Sequence, residues 1–354
     1  MENNICPYFN KCGGCSYQDI SYEEQISLKK ERLKEIFNID IEIIPSEKIY
    51  GYRNRVDIPI TSEGIGFKKR GSWKEVIEID ECRLFGERAK ECLRSLKNFI
   101  RFFNLSPWNL ETHKGFLRYI ILREGKFTNE LMITLITNKG DLPEEVKHFF
   151  KADSIYWCVN EKITDISIGE IKRFWGKEFI KEEINGIKYL LNPYSFFQTN
   201  PFITKKLIEY VSNLVKGKIL DAYCGIGTFS LYLAKRGFLV EGFDSDKQAI
   251  DMAKKNASLN NLSVNFFVEE DRKVSSFECD SLIVDPPRVG LHPKFLKKIL
   301  ILKPQKIVYV SCNPESLKRD LLLLEEIYKM KSIKAFDMFP QTPHIEVVCE
   351  LERK

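Results

Sequence analysis

Cys312 lies in Ser311-Cys312-Asn313-Pro314, directly after the strand-like run Lys306 to Ser311. A lone cysteine is most often a small buried hydrophobe. This one sits at the end of a strand, where ligands bind in parallel sheets. Nearer the C-terminus, His344-Ile345-Glu346 supplies a carboxylate. A thiol and a carboxylate on one pocket suit a particular reaction. Carbon 5 of uracil is a poor nucleophile. Thiolate addition at carbon 6 turns the ring into an enolate, which can take a methyl group from a sulfonium. A base then removes the carbon-5 proton so that the thiolate can leave. Cys312 is the expected nucleophile and Glu346 the expected base. A free cysteine titrates at about 8.5, so the thiol needs activation or attack concerted with proton delivery.

A sulfonium donor needs its own site. Residues 219–229 read Ile-Leu-Asp-Ala-Tyr-Cys-Gly-Ile-Gly-Thr-Phe. The pattern is a buried strand ending at Asp221, a turn through Tyr223, Gly225 and Gly227, and then a helix. Glycine lets the backbone approach a ligand closely. The next strand ends in Glu241-Gly-Phe-Asp244, and an acid there can hold both hydroxyls of a ribose. Ser230 occupies the third glycine position of the dinucleotide fingerprint, so a pyrophosphate is not expected. A nucleoside cofactor without phosphate, S-adenosylmethionine, fits better.

Asp285-Pro-Pro-Arg288 follows the strand Ser281 to Val284, and the prolines end the strand and stiffen the loop. Amino-nitrogen methylases commonly place an aromatic residue after Pro-Pro. Arg288 stands there instead, which argues against that chemistry.

Ten cysteines are spread unevenly along the chain. Cys6, Cys12 and Cys15 have the spacing C-x5-C-x2-C around Gly13-Gly14, and Cys82 in Ile-Asp-Glu-Cys is a fourth candidate. Four thiolates can hold zinc or an iron–sulfur cluster, and the spacing leaves both open. A disulfide framework is not expected of a cytoplasmic chain.

These groups need elements to position them. Ser21 caps an expected helix to Phe37, with Ile26, Leu33 and Ile36 on one face. Short runs between residues 41 and 180 read as strands, interrupted by a helix over roughly Gly86 to Asn104. From Gly186 onward strands and helices alternate, the pattern of a doubly wound, mostly parallel sheet. The expected fold is therefore α/β: a Rossmann-like, S-adenosylmethionine-dependent methyltransferase domain, with a β-rich N-terminal and central RNA-binding domain carrying the cysteine cluster. The expected division is 1–48, cluster segment and connecting helix; 49–185, β-rich central domain contributing Cys82; and 186–354, catalytic domain.

The whole chain has 354 residues, enough for two or three cores. It is 44% hydrophobic and 30% charged, which excludes a disordered chain. No apolar run approaches the roughly 18–20 residues of a membrane span, and no secretory signal precedes Phe9, so a cytoplasmic location is expected. A net charge of +5 permits a phosphate-rich partner without demanding one.

Five motifs together resemble the RNA uracil-C5 methyltransferases of rRNA and tRNA. They are Ser195-Phe-Phe-Gln198-Thr-Asn200-Pro, Asp221-Ala-Tyr-Cys-Gly-Ile-Gly-Thr-Phe, Asp285-Pro-Pro-Arg-Val-Gly-Leu, Ser311-Cys-Asn-Pro-Glu-Ser-Leu-Lys-Arg-Asp-Leu and His344-Ile-Glu-Val-Val. The resemblance covers nearly the whole chain. It implies Cys312 as nucleophile to carbon 6 and Glu346 as acceptor of the carbon-5 proton. It also implies Gln198 between cofactor and base, and Asp285 at the uracil edge or the cofactor end. Asp244 stands where the family more usually has Glu. Arg319 is expected to pack or pair beneath the Cys loop. The Cys-Gly-Gly-Cys segment followed by Gln18 resembles the [4Fe–4S] segment of many members, held here by Cys6, Cys12, Cys15 and Cys82. With that segment, rRNA is favoured over tRNA as the substrate. Because the chain starts almost at Cys6, the extra N-terminal β-barrel of many cluster-bearing relatives is expected to be missing.

Tyr52-Arg-Asn-Arg55, Phe67-Lys-Lys-Arg70 and Lys172-Arg-Phe-Trp175 mix basic and aromatic side chains that could meet phosphates and unstacked bases. A monomer is expected. Two other readings compete: a cytosine-C5 methylase, which Ser311-Cys312-Asn313 fits poorly, and a non-catalytic, cluster-stabilised RNA-binding or assembly protein.

Overall fold

The computed structural model describes residues 5–72, 74–274 and 277–354, so the first four residues of the N-terminal stretch lie outside it. The chain opens its regular structure with helix α1 (Tyr22–Phe37) and strand β1 (Glu42–Ile44). Ser21 caps α1, its hydroxyl accepting the Glu24 N–H at 3.2 Å. Next come β2 (Arg55–Thr61), β3 (Gly64–Lys68), β4 (Val76–Glu78), α2 (Glu87–Phe103), β5 (Leu117–Glu124), β6 (Leu131–Thr137), α3 (Val146–Phe149), β7 (Ser154–Val159) and β8 (Glu170–Gly176). The ribbon β9 (Ile180–Ile184) and β10 (Ile187–Leu191) follows. Then α4 (Pro201–Leu214), β11 (Ile219–Ala222), α5 (Thr228–Lys235), β12 (Val240–Asp244), α6 (Lys247–Leu259), β13 (Asn265–Val268), β14 (Ser281–Val284), α7 (Pro293–Leu302), β15 (Lys306–Ser311) and α8 (Pro314–Leu324) alternate. Strands β16 (Tyr328–Phe336) and β17 (Glu346–Arg353) close the chain.

Two compact units result. One comprises residues 1–20, 48–182 and 191–194; the other comprises 21–47, 183–190 and 195–354. This differs from the three consecutive segments expected. The cysteine segment joins the β-rich unit, whereas α1 and β1 join the α/β one. The reason is burial: Leu33, Phe37 and Ile41 enter the same apolar core as Leu220, Phe243, Phe295 and Val347. Each such side chain contributes roughly 1.5–3 kcal/mol when withdrawn from water.

The β-rich unit is a seven-stranded sheet in the order β4-β3-β2-β5-β6-β7-β8, with α2 packed on it through Leu93, Leu96 and Phe99. The α/β unit is built on an eight-stranded sheet in the order β1-β16-β17-β15-β14-β11-β12-β13. From β15 to β13 its strands are parallel, as the alternation predicts. Strand β17 is antiparallel to both β15 and β16 and sits between them. Glu346, its first residue, therefore belongs to an interior strand and is 2% exposed. Among the described residues, no helix is long and apolar enough to cross a membrane.

Candidate active site

Parallel strands end on one edge of the sheet, and the loops that leave it carry the chemistry. At the end of β11, Asp221 is fully buried. Its Oδ2 accepts the Ser230 N–H at 3.1 Å and the Ser230 hydroxyl at 2.5 Å, while its Oδ1 has no partner among the described residues. A buried acceptor left unpaired costs free energy unless a ligand or water supplies a donor. Burial pushes its carboxyl up to about 7, the Asp244 charge adding to the effect. The turn that follows has Tyr223 at φ 64° and Gly225 at φ 53°. A Cβ on Gly225 would meet no atom within 4 Å, so glycine is required there by backbone conformation and leaves open space beside it. The Gly225 N–H donates to Asp244 Oδ2 at 3.1 Å, and the Asp246 N–H donates to Oδ1 at 2.9 Å. Tyr223 donates its hydroxyl hydrogen to Asp271 at 2.5 Å. The unpaired Asp221 oxygen, the open glycine turn and the strand-end acid fit a nucleoside cofactor.

Asp285 follows β14, and Gln198 Nε2 donates to its Oδ2 at 3.1 Å. Burial raises the Asp285 carboxyl to about 7, with the Asp221 charge adding and the Gln198 hydrogen bond opposing. Glu346 is raised well above the ordinary carboxylate range, first by burial and then by Asp285. Cys312 follows β15 and is half-buried. Burial pushes its thiol up to about 11; the Glu346 and Asp285 charges push the same way and Arg288 opposes them. Thiol and carboxylates thus share one electrostatic neighbourhood on adjacent strand ends. The thiol is held protonated rather than pre-ionised.

The Cys312 loop is rigid for identifiable reasons. Asn313 caps α8, its side chain accepting the Glu315 N–H at 3.3 Å and donating to the Arg288 carbonyl at 2.9 Å. The buried Asp320 carboxylate accepts the Tyr309 hydroxyl at 2.7 Å and the Leu291 N–H at 2.8 Å. Arg319 pairs with Asp320 at 2.7 Å and donates to the Val289 carbonyl at 2.8 Å. Arg319 and Asp320 together tie the Asp-Pro-Pro loop to α8.

The structure brings together Gln198, Asp221, Asp285, Cys312 and Glu346, with Tyr223, Gly225, Gly227 and Asp244 lining the neighbouring turn. Sequence reasoning missed Asp320, although it lies in the quoted Lys-Arg-Asp-Leu run. It also missed a polar grip on the segment before Glu346. Gln25 and Lys29, not Ile26 and Ile36, are buried with Leu33 on α1. Their spacing of four was the available signal.

The four N-terminal thiols all lie in the β-rich unit. Gln18 accepts the Cys6 N–H at 2.8 Å and also hydrogen-bonds the Cys15 thiol. Cys15 is pushed up to about 12, by burial first and then by Cys82, Cys12 and Cys6. The four thiols therefore converge electrostatically. Among the described residues, however, no group of three or more histidine, cysteine or acidic side chains is drawn tightly enough to hold a metal.

The basic and aromatic runs are only partly available to RNA. Tyr52 is buried and cannot stack on a base. Arg55 pairs with Asp57 at 2.7 Å, Lys68 with Asp165 at 3.0 Å and Lys69 with Glu75 at 2.6 Å. Phe174 is exposed on β8, its ring stacked on Tyr156 at 5.3 Å.

Comparison with known proteins adds to this geometry. A sequence profile described as tRNA (Uracil-5-)-methyltransferase matches residues 263–354, and one for the methyltransferase small domain matches 202–300. The tRNA (uracil(54)-C(5))-methyltransferase of Pyrococcus abyssi is 50% identical over 98% of this chain and 85% of its own length. The 23S rRNA (uracil(747)-C(5))-methyltransferase of the same organism is 41% identical over 99% of this chain and 85% of its length. The crystal structure of the P. abyssi tRNA (uracil-54, C5)-methyltransferase in complex with S-adenosyl-L-homocysteine superposes with a TM-score of 0.90. That match is 49% identical and covers 96% of this chain and 86% of the other.

Proposed function

Because the chain belongs to the RNA uracil-C5 methyltransferases, we propose that it methylates carbon 5 of a uridine in tRNA, through a covalent adduct on Cys312. The observation that carries this reading is the shared neighbourhood of a buried Glu346, Asp285 and the Cys312 thiol at adjacent strand ends. S-adenosylmethionine, when bound, supplies a methyl group on a positively charged sulfur. Asp221, Tyr223, Gly225, Gly227 and Asp244 are the residues to hold it. Gln198 orients Asp285 toward the uracil edge. Cys312 Sγ gives its proton to solvent and the thiolate bonds carbon 6, the carbon 5–carbon 6 π pair moving into an enolate on the ring that then takes the methyl group at carbon 5. After carbon 5 has taken the methyl group, the ionised Glu346 carboxylate removes the carbon-5 proton. The released electron pair restores the carbon 5–carbon 6 double bond and expels the thiolate.

The substrate follows the relatives. The cysteine segment favours rRNA, but relatives named for tRNA uracil 54 are 48–50% identical against 41–42% for those named for 23S rRNA. Both groups match over nearly the whole chain, so the difference weighs toward tRNA. Cys6, Cys12, Cys15 and Cys82 remain our candidates for a structural metal or [4Fe–4S] site, and no step of the reaction passes through it.

Trapping tests the reading. Glu346→Gln protein, mixed with tRNA or rRNA and S-adenosylmethionine, is expected to give a slow-moving protein–tRNA band on a denaturing gel. That band should vanish when Cys312→Ser is added. A band with rRNA alone would move the substrate back to rRNA. No band, with no methyl transfer by the unmutated protein to either RNA, would favour the non-catalytic RNA-binding reading.

A further inference from the structure

Helix α1 carries no residue of the proposed chemistry, yet one of its faces grips the segment that delivers Glu346. Phe336, the last residue of β16, pairs in register with Glu346, the first of β17. Residues 337–345 therefore form a closed loop whose two ends are fixed beside the base. Lys29 donates to Asp337 Oδ1 at 2.5 Å and to the Phe339 carbonyl at 3.1 Å. Lys29 is 2% and Asp337 0% exposed. One turn earlier, Gln25 exchanges two hydrogen bonds with Gln341, at 3.0 Å between side chains and 2.9 Å from the Gln341 N–H. One turn later, Arg32 donates to the Pro343 carbonyl at 3.0 Å and to Glu315 at 2.7 Å. Glu315 stands in the first turn of α8, three residues after Cys312.

Residues 25, 29 and 32 fall on one helical face, and they meet the loop at three successive points. Arg32 also reaches the helix that starts behind the thiol. Apolar packing alone would bury this face at less cost. A buried Lys–Asp pair gains little over hydrophobic residues of the same volume, but it fixes one geometry. We infer that Gln25, Lys29 and Arg32 are positioning residues, which set the placement of Glu346 relative to Cys312 and so govern the step that resolves the covalent adduct. This rests on the roles assigned to Cys312 and Glu346 above. Cys312 keeps buried ties that α1 does not make, through Asn313 and Asp320, whereas the Arg32–Glu315 pair on the side of α8 is largely exposed and weak. Loosening α1 therefore slows proton removal from carbon 5 more than thiol addition to carbon 6. A displacement of about 1 Å in a reacting group can cost on the order of a hundredfold.

The test is the fraction of protein trapped on RNA at steady state with S-adenosylmethionine. Arg32→Ala, on the half-exposed end of the grip, and Lys29→Met are compared with Arg32→Lys, Glu346→Gln and the unmutated protein. S-adenosylhomocysteine affinity by calorimetry reports an intact cofactor site. The expected result is slower turnover by about ten- to a hundredfold with a raised adduct fraction in Arg32→Ala. Arg32→Lys should restore part of it, and cofactor affinity should not change. Lys29→Met should behave likewise if it folds; if it does not, Arg32→Ala decides. Loss of turnover without accumulation of adduct would overturn the inference, because a merely structural defect slows every step alike. If Glu346→Gln traps adduct and Arg32→Ala does not, the inference fails alone. If Glu346→Gln traps none, the assigned base fails and takes the inference with it.

Discussion

A thiol pushed up to about 11 is an unpromising nucleophile at neutral pH, and the two carboxylates beside it are the reason beyond burial. Both carboxylates are themselves raised, so each holds its proton further into the neutral range than an exposed acid does. The sign follows. As pH rises, Glu346 gains the ionised form that can accept the carbon-5 proton, and a growing fraction of Cys312 becomes thiolate. Adduct formation should therefore climb with the thiolate fraction, through the neutral and into the alkaline range, while resolution of the adduct climbs with the ionised fraction of Glu346. Arg288 is the opposing charge. Arg288→Ala should move the profile to higher pH and slow adduct formation at any fixed neutral pH. Single-turnover trapping across the neutral and alkaline range measures it. Superimposable profiles would remove Arg288 from the account of thiol activation.

Elements decide whether those residues meet, and the sequence showed some of them more clearly than others. Helix α6 and strands β6 and β15 begin and end where the sequence pattern puts them, because periodicity and caps are local properties. The glycine turn, the Asp-Pro-Pro loop and the Cys312 loop could be read as strand-to-helix turns for the same reason. Interior placement of β17 could not, since it depends on the last strand turning back antiparallel between β16 and β15. Nor could burial of Lys29, whose partner Asp337 is 308 residues away in sequence. A further prediction belongs at this scale. Gly290 has φ 82°, and a Cβ there would stand 2.5 Å from an Arg319 nitrogen and 2.6 Å from Asp320 Oδ2. Gly290→Ala should destabilise the protein by about 1–3 kcal/mol through strain and displacement of that tie. Urea unfolding measures the loss, and an unchanged midpoint would show that the Asp-Pro-Pro loop adjusts freely.

On the scale of the molecule, the roles proposed above divide as the packing does. One unit holds every residue proposed for cofactor, nucleophile and base; the other holds the four candidate thiol ligands and all three mixed basic and aromatic runs. If the thiols hold a metal, it should stabilise the β-rich unit and leave the chemistry of the other intact. Protein purified without air should then contain iron or zinc, and Cys12→Ser should lose it together with thermal stability, while S-adenosylhomocysteine still binds. Metal-free protein with unaltered melting would dismiss the site.

The catalytic unit is also discontinuous. Residues 21–47 are separated in sequence from the rest of their own core by residues 48–182, the bulk of the β-rich unit. During synthesis, Leu33, Phe37 and Ile41 emerge early and have no native surface to cover them until β14, β15 and β17 are made. Contacts of such sequence separation close slowly, and exposed apolar segments in the interval invite aggregation. The β-rich unit, contiguous over residues 48–182, can fold in that interval. The helix that grips the loop before Glu346 is thus the first part of its unit to leave the ribosome, and its buried polar face waits for residues 337–343 to be made before it has partners.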